Sequence, residues 1–316
     1  MKDKIKAAVI GSFIGDSMAL GVHWVDDPEK IAQKYGEVDK LLKPELVAAH
    51  AGKDAGEFTH YGDQAFELLI SVSTGNGFEA DNFMSRWRAL FKGDYNDFID
   101  DATKKTLEQF GTCETYTECI SQSSELGGAS RIAPLLIPYH NDLDALRNAA
   151  VEQTKLTHNN AKVMESASYF AEVVYEVLQG KSPKEALQSV AESGAERYAN
   201  ISELIKAGLN SADNSTRDAI AELGRGNDVD EALPSTVHVI AKYENDFERA
   251  VIENVMAGGD SAARGMLIGM VVGAQTGMNS IPAGWFEGLK RHEELDKYVD
   301  QTMHKHYYEY DVKVSM

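Results

Sequence analysis

The chain has 316 residues, 43% hydrophobic and 26% charged, the balance of a globular protein with ample material for a core. Asp and Glu number 50 against 31 Lys and Arg, a formal charge of -19. That excludes a general affinity for nucleic acid or anionic membrane, since both are bound through clustered basic side chains.

Taken in order, the chain reads as helical almost throughout. Lys2, Lys4 and Lys6 ahead of an apolar run imitate a signal peptide, but Asp16 interrupts the run and no small-residue cleavage site follows. The segment therefore reads as a mature helix, with small residues at Gly11, Gly15 and Ala19 forming a stripe. Buried on such a helix, Asp16 needs a partner. Asp26–Tyr35 reads as a short helix with proline in its first turn. From Gly36 to Tyr61 the chain is loop-like; it contains His50 and His60, and His23 lies shortly before it. Asp63 reads as an N-cap opening an apolar-rich helix that Gly75 and Gly77 end, and Asp81–Lys92 and Asp97–Phe110 follow at helical spacing. Thr115–Ser124 reads as one more short helix. The two cysteines, Cys113 and Cys119, stand at a spacing that does not bring them together on a helix, so neither a disulfide nor a metal knuckle is expected and a reducing cytoplasm fits.

Gly127-Gly128-Ala129-Ser130-Arg131 reads as a glycine-rich loop leading into the apolar stretch Ile132–Ile137. Asp142–Gln153 and Asn160–Gln179 are amphipathic helices, and Ser182-Pro183-Lys184-Glu185 is a start signal for the next. Ala195–Ala207, Ser215–Leu223, Thr236–Tyr243 and Asp246–Ala257 continue the pattern. The polar stretch Asp213–Asp230 is too short to separate domains, and no alternating run demands a sheet. The expectation is one all-α domain over residues 1–316.

The chain is organised around Gly258-Gly259-Asp260-Ser261-Ala262-Ala263-Arg264 and the apolar helix after it, in which glycine recurs at 265, 269, 273 and 277. Each glycine inside a helix costs about 1 kcal/mol relative to alanine, so a stripe of them implies another backbone pressed against it. The natural partner is the small-residue stripe of the first helix. Asp260 stands where a carboxylate caps a helix or holds a cation.

Individually the polar motifs are weak. The loop Gly127, Gly128, Ala129, Ser130 can offer backbone N–H groups to a phosphate, with Arg131 to neutralise it, but a tight turn before a buried segment is the more frequent meaning. His158 in Thr157-His158-Asn159-Asn160 is by itself a loop histidine next to a helix cap.

Their order along the chain resembles the ADP-ribosylglycohydrolase family, from Gly11-Ser12-Phe13-Ile14-Gly15-Asp16 through Gly62-Asp63-Gln64, Gly-Gly-Ala-Ser-Arg, Thr-His and Gly-Gly-Asp to Ile281-Pro282-Ala283-Gly284-Trp285. The resemblance implies a single-domain orthogonal helical bundle and an activity that removes ADP-ribose from proteins with two magnesium ions. It also implies that Gly127, Gly128, Ala129, Ser130, Arg131 and His158 lie in segments contacting the phosphates and adenosine side of ADP-ribose.

The metal motifs depart from the family pattern. Its Thr-Asp-Asp is Gly62-Asp63-Gln64 here, and its Gly-Gly-Asp-x-Asp-Thr keeps Asp260 but has Ala262 and Ala263 at the last two places. His23 stands at about the place of a glutamate carried by many members. The Gly62-Asp63-Gln64 form is similar to a divergent branch that includes lens crystallins. Of the usual oxygen ligands only Asp63 and Asp260 remain, which implies no resident cofactor beyond one weakly held magnesium ion at those two residues. A zinc site from His23, His60 and the two aspartates is the less expected alternative, loop histidines being more often simply hydrogen-bonded. Three functions follow: a hydrolase of an ADP-ribosyl or related N-/O-glycosidic linkage, with Asp63 or Asp260 as base and His23 or His60 as acid; a silent binder of ADP-ribose or a nucleotide; or a crystallin-like structural protein.

Overall fold

The computed structural model describes residues 1–95, 97–110 and 120–314. Among them the chain forms helices and no strand, with an isolated bridge between Glu125 and Asp228. Local chemistry sets most of the boundaries. α1 (Lys2–Leu20) ends at Gly21, and α2 (Pro28–Tyr35) starts on Asp27, whose carboxylate accepts from the Glu29 N–H. α3 (His60–Thr74) is capped by Thr59, so Asp63 lies in its first turn and is not the cap the sequence suggested. α4 (Ala80–Leu90) follows, then α5 (Asp101–Gln109), which Asp100 caps; residues 97–99 are not yet helical. The short helix expected over Thr115–Ser124 falls mostly outside the described residues, as do Cys113 and Cys119; its described residues, 120–124, are not helical.

The stretch 127–131 is not an open loop. It forms one helical turn, α6 (Gly127–Ser130), and α7 (Leu136–Tyr139) comes shortly after. α8 (Leu143–Lys155) and α9 (Ala161–Leu178) start on Asp142 and Asn160, and α10 (Pro183–Ser193) carries the full reciprocal cap between Ser182 and Glu185. Turns occupy 195–201, so α11 (Ser202–Asn210) begins later than Ala195. α12 (Thr216–Leu223), α13 (Val229–Lys242), α14 (Phe247–Met256) and α15 (Ser261–Thr276) are capped by Ser215, Asp228, Asp246 and Asp260. α13 extends ahead of Thr236 with Pro234 inside it as its sixth residue, where the missing N–H leaves the Asp230 carbonyl without its i→i+4 bond. α16 (Ala283–Gly288) and the long α17 (His292–Val314) end the chain. No helix among the described residues is long and apolar enough to cross a membrane.

The two small-residue stripes do meet. α1 and α15 run antiparallel through the centre, buried all round from Ala7 to Leu20 and from Ser261 to Ala274. A Cβ added at Gly11 would stand 2.5 Å from the Gly269 carbonyl oxygen, one at Gly265 2.5 Å from that of Gly15, and one at Gly273 2.5 Å from that of Ala7. In each case the obstacle is backbone, which cannot step aside as a flexible side chain can. Gly277 does not belong to the stripe; it is the residue after α15, at φ 78°, where its N–H closes the helix on the Gly273 carbonyl. The surrounding apolar cluster runs from Ile5 to Val299 and takes in almost every helix between.

The crossing makes a test of its own. Gly269→Ala raises intrinsic helix propensity yet forces Cβ into the Gly11 carbonyl, so it should lower stability by about 1–3 kcal/mol. Gly284→Ala, on α16 with nothing within 4 Å of the added Cβ, should be neutral or slightly stabilising. Urea unfolding of the two variants checks the contrast; equal effects would mean that the helices have room to separate.

Candidate functional site

The antiparallel crossing brings the C-terminal end of α1 beside the N-terminal end of α15, and the polar residues collect there. Gly258 and Gly259, at φ 76° and 70°, turn the chain before Asp260, a conformation that a residue with a Cβ rarely adopts. The turn docks on the segment after α1: the Trp24 N–H donates to the Gly259 carbonyl at 2.9 Å, and the Gly259 N–H to the Val25 carbonyl at 3.0 Å. Trp24 itself has φ 66°, the one described non-glycine residue in the left-handed region.

Asp16 has its partner. It is fully buried and accepts from the backbone N–H of Thr59 at 2.8 Å and from the Thr59 hydroxyl. Burial pushes its carboxyl up to about 7 in spite of those two bonds. Asp16 also explains Gly62, because any Cβ there would run into its Oδ2. Asp63 is tied to a cation of the chain's own: Lys53 Nζ lies 2.6 Å from Asp63 Oδ2 and the Tyr95 hydroxyl donates to the same oxygen at 2.7 Å, with both ion-pair partners nearly buried. Burial raises the Asp63 carboxyl, with Lys53 and Tyr95 opposing it; burial works against the Lys53 ammonium, but the Asp63 charge holds its pKa raised. Gln64 is equally occupied: its oxygen accepts from Trp87 Nε1 at 2.7 Å and Arg131 Nη1 at 2.6 Å, and its amide donates to the His60 carbonyl at 3.0 Å.

Asp260 caps α15 through the Ala263 N–H at 3.2 Å, accepts from the Tyr61 hydroxyl at 3.0 Å, and stands 3.7 Å from His23 Nδ1. Burial pushes it up to about 6, with Arg264 as the main opposing charge. Around it, His23, His50 and His60 form a ring stack with Trp24, edged by Phe98. Burial and the other imidazoles hold His23 well below its usual range and His60 at about 3, so both are neutral at pH 7. A proton on either ring is disfavoured, which weighs against the acid role that the sequence suggested.

The 127–131 segment is buried throughout, and its glycines serve as seats for rings: a Cβ at Gly127 would strike the Tyr61 ring, and one at Gly128 would come within 2.6 Å of the His158 ring. Ser130 closes the turn on the Gly127 carbonyl at 2.8 Å, and Ala129 packs in the core. The Arg131 guanidinium, expected to meet a phosphate, is engaged internally by Gln64, Gln153 and Thr157. His158, also buried, shares a hydrogen bond with Thr157 at 2.8 Å and is held neutral by burial and by Arg131. Two of the expected contacts, Arg131 and His158, thus belong to one internal polar network.

The family model for ADP-ribosylglycohydrolase matches residues 1–311. The chain belongs to the ADP-ribosylglycohydrolase family. Crystallin J1A of Tripedalia cystophora is 26% identical over 318 residues, covering 95% of this chain and 96% of its own. Human ADP-ribosylhydrolase ARH3 is 26% identical over 209 residues, 57% of each chain. A solved structure described as an ADP-ribosylglycohydrolase-related protein complex superposes with a TM-score of 0.73 at 22% identity, covering 96% of this chain and 98% of that one, which establishes the shared fold.

Two magnesium ions, usual for an ADP-ribosylglycohydrolase, do not suit the donor set here. Mg²⁺ asks for oxygen ligands in near-octahedral order. Asp63 is paired with Lys53, Asp16 with Thr59, and Gln64 with Trp87 and Arg131, while Asp260 looks onto imidazole. Lys53 provides the positive charge next to Asp63 that a metal would otherwise bring. Sequence reasoning missed Lys53, Tyr95, Asp97, Asp100 and Glu125, and left His50 without a role. The acidic run Asp94–Asp101 and the His50–Lys53 pair in one loop were the available signals.

Two consequences can be measured. Lys53→Met should cost about 3–5 kcal/mol by leaving the Asp63 charge buried alone, and Lys53→Met with Asp63→Asn should recover much of it; additive losses would show that the pair is uncoupled. Asp16 titrates higher folded than unfolded, so its contribution is complete below about pH 4 and is lost as pH rises through about 7. Thermal unfolding from pH 5 to pH 8 should therefore decline more steeply in the parent than in Asp16→Asn, and parallel curves would contradict the assignment.

Proposed function

We propose that the chain is a hydrolase of an ADP-ribosyl or related N-/O-glycosidic linkage that works without the paired magnesium ions. The observation that supports this best is the state of its carboxylates. Glycoside hydrolysis asks for one group that holds a proton for the leaving oxygen or nitrogen and another that accepts one from water. Asp63 is committed to Lys53, which leaves Asp260, fixed by Tyr61 and Ala263, as the carboxylate to activate water. Glu125 supplies the acid. Burial, reinforced by the charges of Asp100 and Asp260, pushes it up to about 8, so it keeps its proton at neutral pH. Asn227 Nδ2 steadies it with a hydrogen bond to Oε1 at 3.0 Å, and Oε2 is buried without a partner.

A second reading, a structural protein of the crystallin kind, is favoured by the closure of the site, where His23, His50, His60 and Asp260 are at most 1% exposed. Binding of ADP-ribose without turnover lies between the two. The deciding measurement is release of free ADP-ribose from ADP-ribosylated protein in magnesium-free buffer, beside a thermal shift with ADP-ribose itself. The expected result is a raised Tm and a release rate that added magnesium leaves unchanged. Glu125→Gln should lower that rate by about 10²–10⁴-fold with the shift retained. A shift without release leaves a binding protein. Neither shift nor release leaves the structural reading.

A further inference from the structure

Three histidines from separate regions of the chain meet in the interior: His23 from the turn after α1, His50 from the short turn Ala48–His50, and His60 from the start of α3. Each is completely buried, and one ring nitrogen from each lies within 4.8 Å of those of the other two. Among the described residues no other group of three His, Cys, Asp or Glu side chains is gathered in this way. Both nitrogens of His23, both of His60 and Nε2 of His50 lack a hydrogen-bond partner. Buried polar atoms are almost always paired, and leaving one unpaired costs about 1–3 kcal/mol. A stack that served packing alone would be made of phenylalanine, without that penalty.

Each imidazole has a carboxylate beside it. Asp97 Oδ1 is 2.7 Å from His50 Nδ1, which leaves Nε2 as the free nitrogen; Asp100 Oδ2 is 3.6 Å from His60 Nε2; Asp260 Oδ1 is 3.7 Å from His23 Nδ1. The Asp97 contact is a hydrogen bond of the kind by which carboxylates orient metal-bound histidines and make them better donors, whereas Asp100 and Asp260 stand at ion-pair distance without a hydrogen bond. Trp24 stacks on His23 and on His50, which restrains the planes of both rings.

We propose that His23, His50 and His60 bind one Zn²⁺ ion. Neutral imidazole suits zinc and does not suit magnesium or calcium. With Zn–N about 2.0–2.1 Å, tetrahedral ligands lie about 3.4 Å apart, so nitrogens now within 4.8 Å of one another need approach by no more than about 1.4 Å. Three protein nitrogens would leave a fourth position open, the arrangement of a reactive zinc, and Asp260 stands 3.7 Å from His23 Nδ1. The chain thus offers nitrogen ligands for one ion where its carboxylates do not suit an oxygen-ligated pair, with Lys53 neutralising Asp63. The inference concerns metal content and stands apart from whether the chain hydrolyses a glycosidic bond.

The test is elemental analysis of the full chain after chelator stripping and dialysis against micromolar zinc, with a thermal melt of the same samples. About one zinc per chain and a higher Tm are expected, unaffected by millimolar magnesium. Cobalt should replace zinc and give the intense visible absorption of a four-coordinate ion. Asp97→Asn, which only alters what orients His50, should weaken zinc binding about 10–100-fold with an unchanged circular dichroism spectrum. His140→Gln, outside the cluster, should bind a full equivalent. Uptake well below one zinc by the folded parent, or an undiminished equivalent in His23→Gln with His60→Gln, overturns the proposal. Should that double variant fail to fold, the parent's stoichiometry and its cobalt spectrum still decide.

Discussion

The close crossing of α1 and α15 is the constraint on which the rest of the structure depends. Two helices separated by ordinary side chains sit about 8–10 Å apart; with glycine facing backbone on both sides they come nearer. Here Gly15 faces Gly265 and Gly11 faces Gly269, so the C-terminal turn of one helix and the N-terminal cap of the other share a single small volume. Thr59, His60 and Tyr61 at the head of α3 reach the same volume through Asp16 and Asp260. The polar centre is therefore fixed by apolar packing beneath it.

Above that packing, each buried charge is satisfied locally. Asp63 has Lys53, Arg131 has two glutamines and a threonine, and Arg264 donates to Asn254 and the Gly258 carbonyl. Each is a buried ion given its own hydrogen bonds, the condition under which a buried charge is tolerated. The histidine cluster is the exception, rich in acceptors and bordered by carboxylates yet short of partners.

Much of the fold was legible because helix caps are local. Asp27, Asp142, Asn160, Ser182, Ser215, Asp246 and Asp260 each cap a helix by reaching backbone within a few residues, a signal that spacing alone carries. The glycine stripes were legible for the same reason, and only Gly277 was misplaced. The site was less legible because its chemistry is long-range. Nothing near Arg131 announces that Gln64 will engage it, and nothing near Asp63 names Lys53. Gly127 and Gly128 suggested phosphate because glycine permits close approach; what approaches here is an aromatic ring from elsewhere in the chain.

The glycine crossing also bears on how such a molecule can change over generations. At Gly11, Gly15, Gly265 and Gly269 the neighbour that forbids a larger residue includes a backbone carbonyl, which no substitution elsewhere can shrink. Drift at these positions has no compensating route. The groups around Asp260 are side chains, and side chains can be exchanged one for another without moving the backbone that carries them. A lineage built this way can rewrite its chemistry while its architecture stays put.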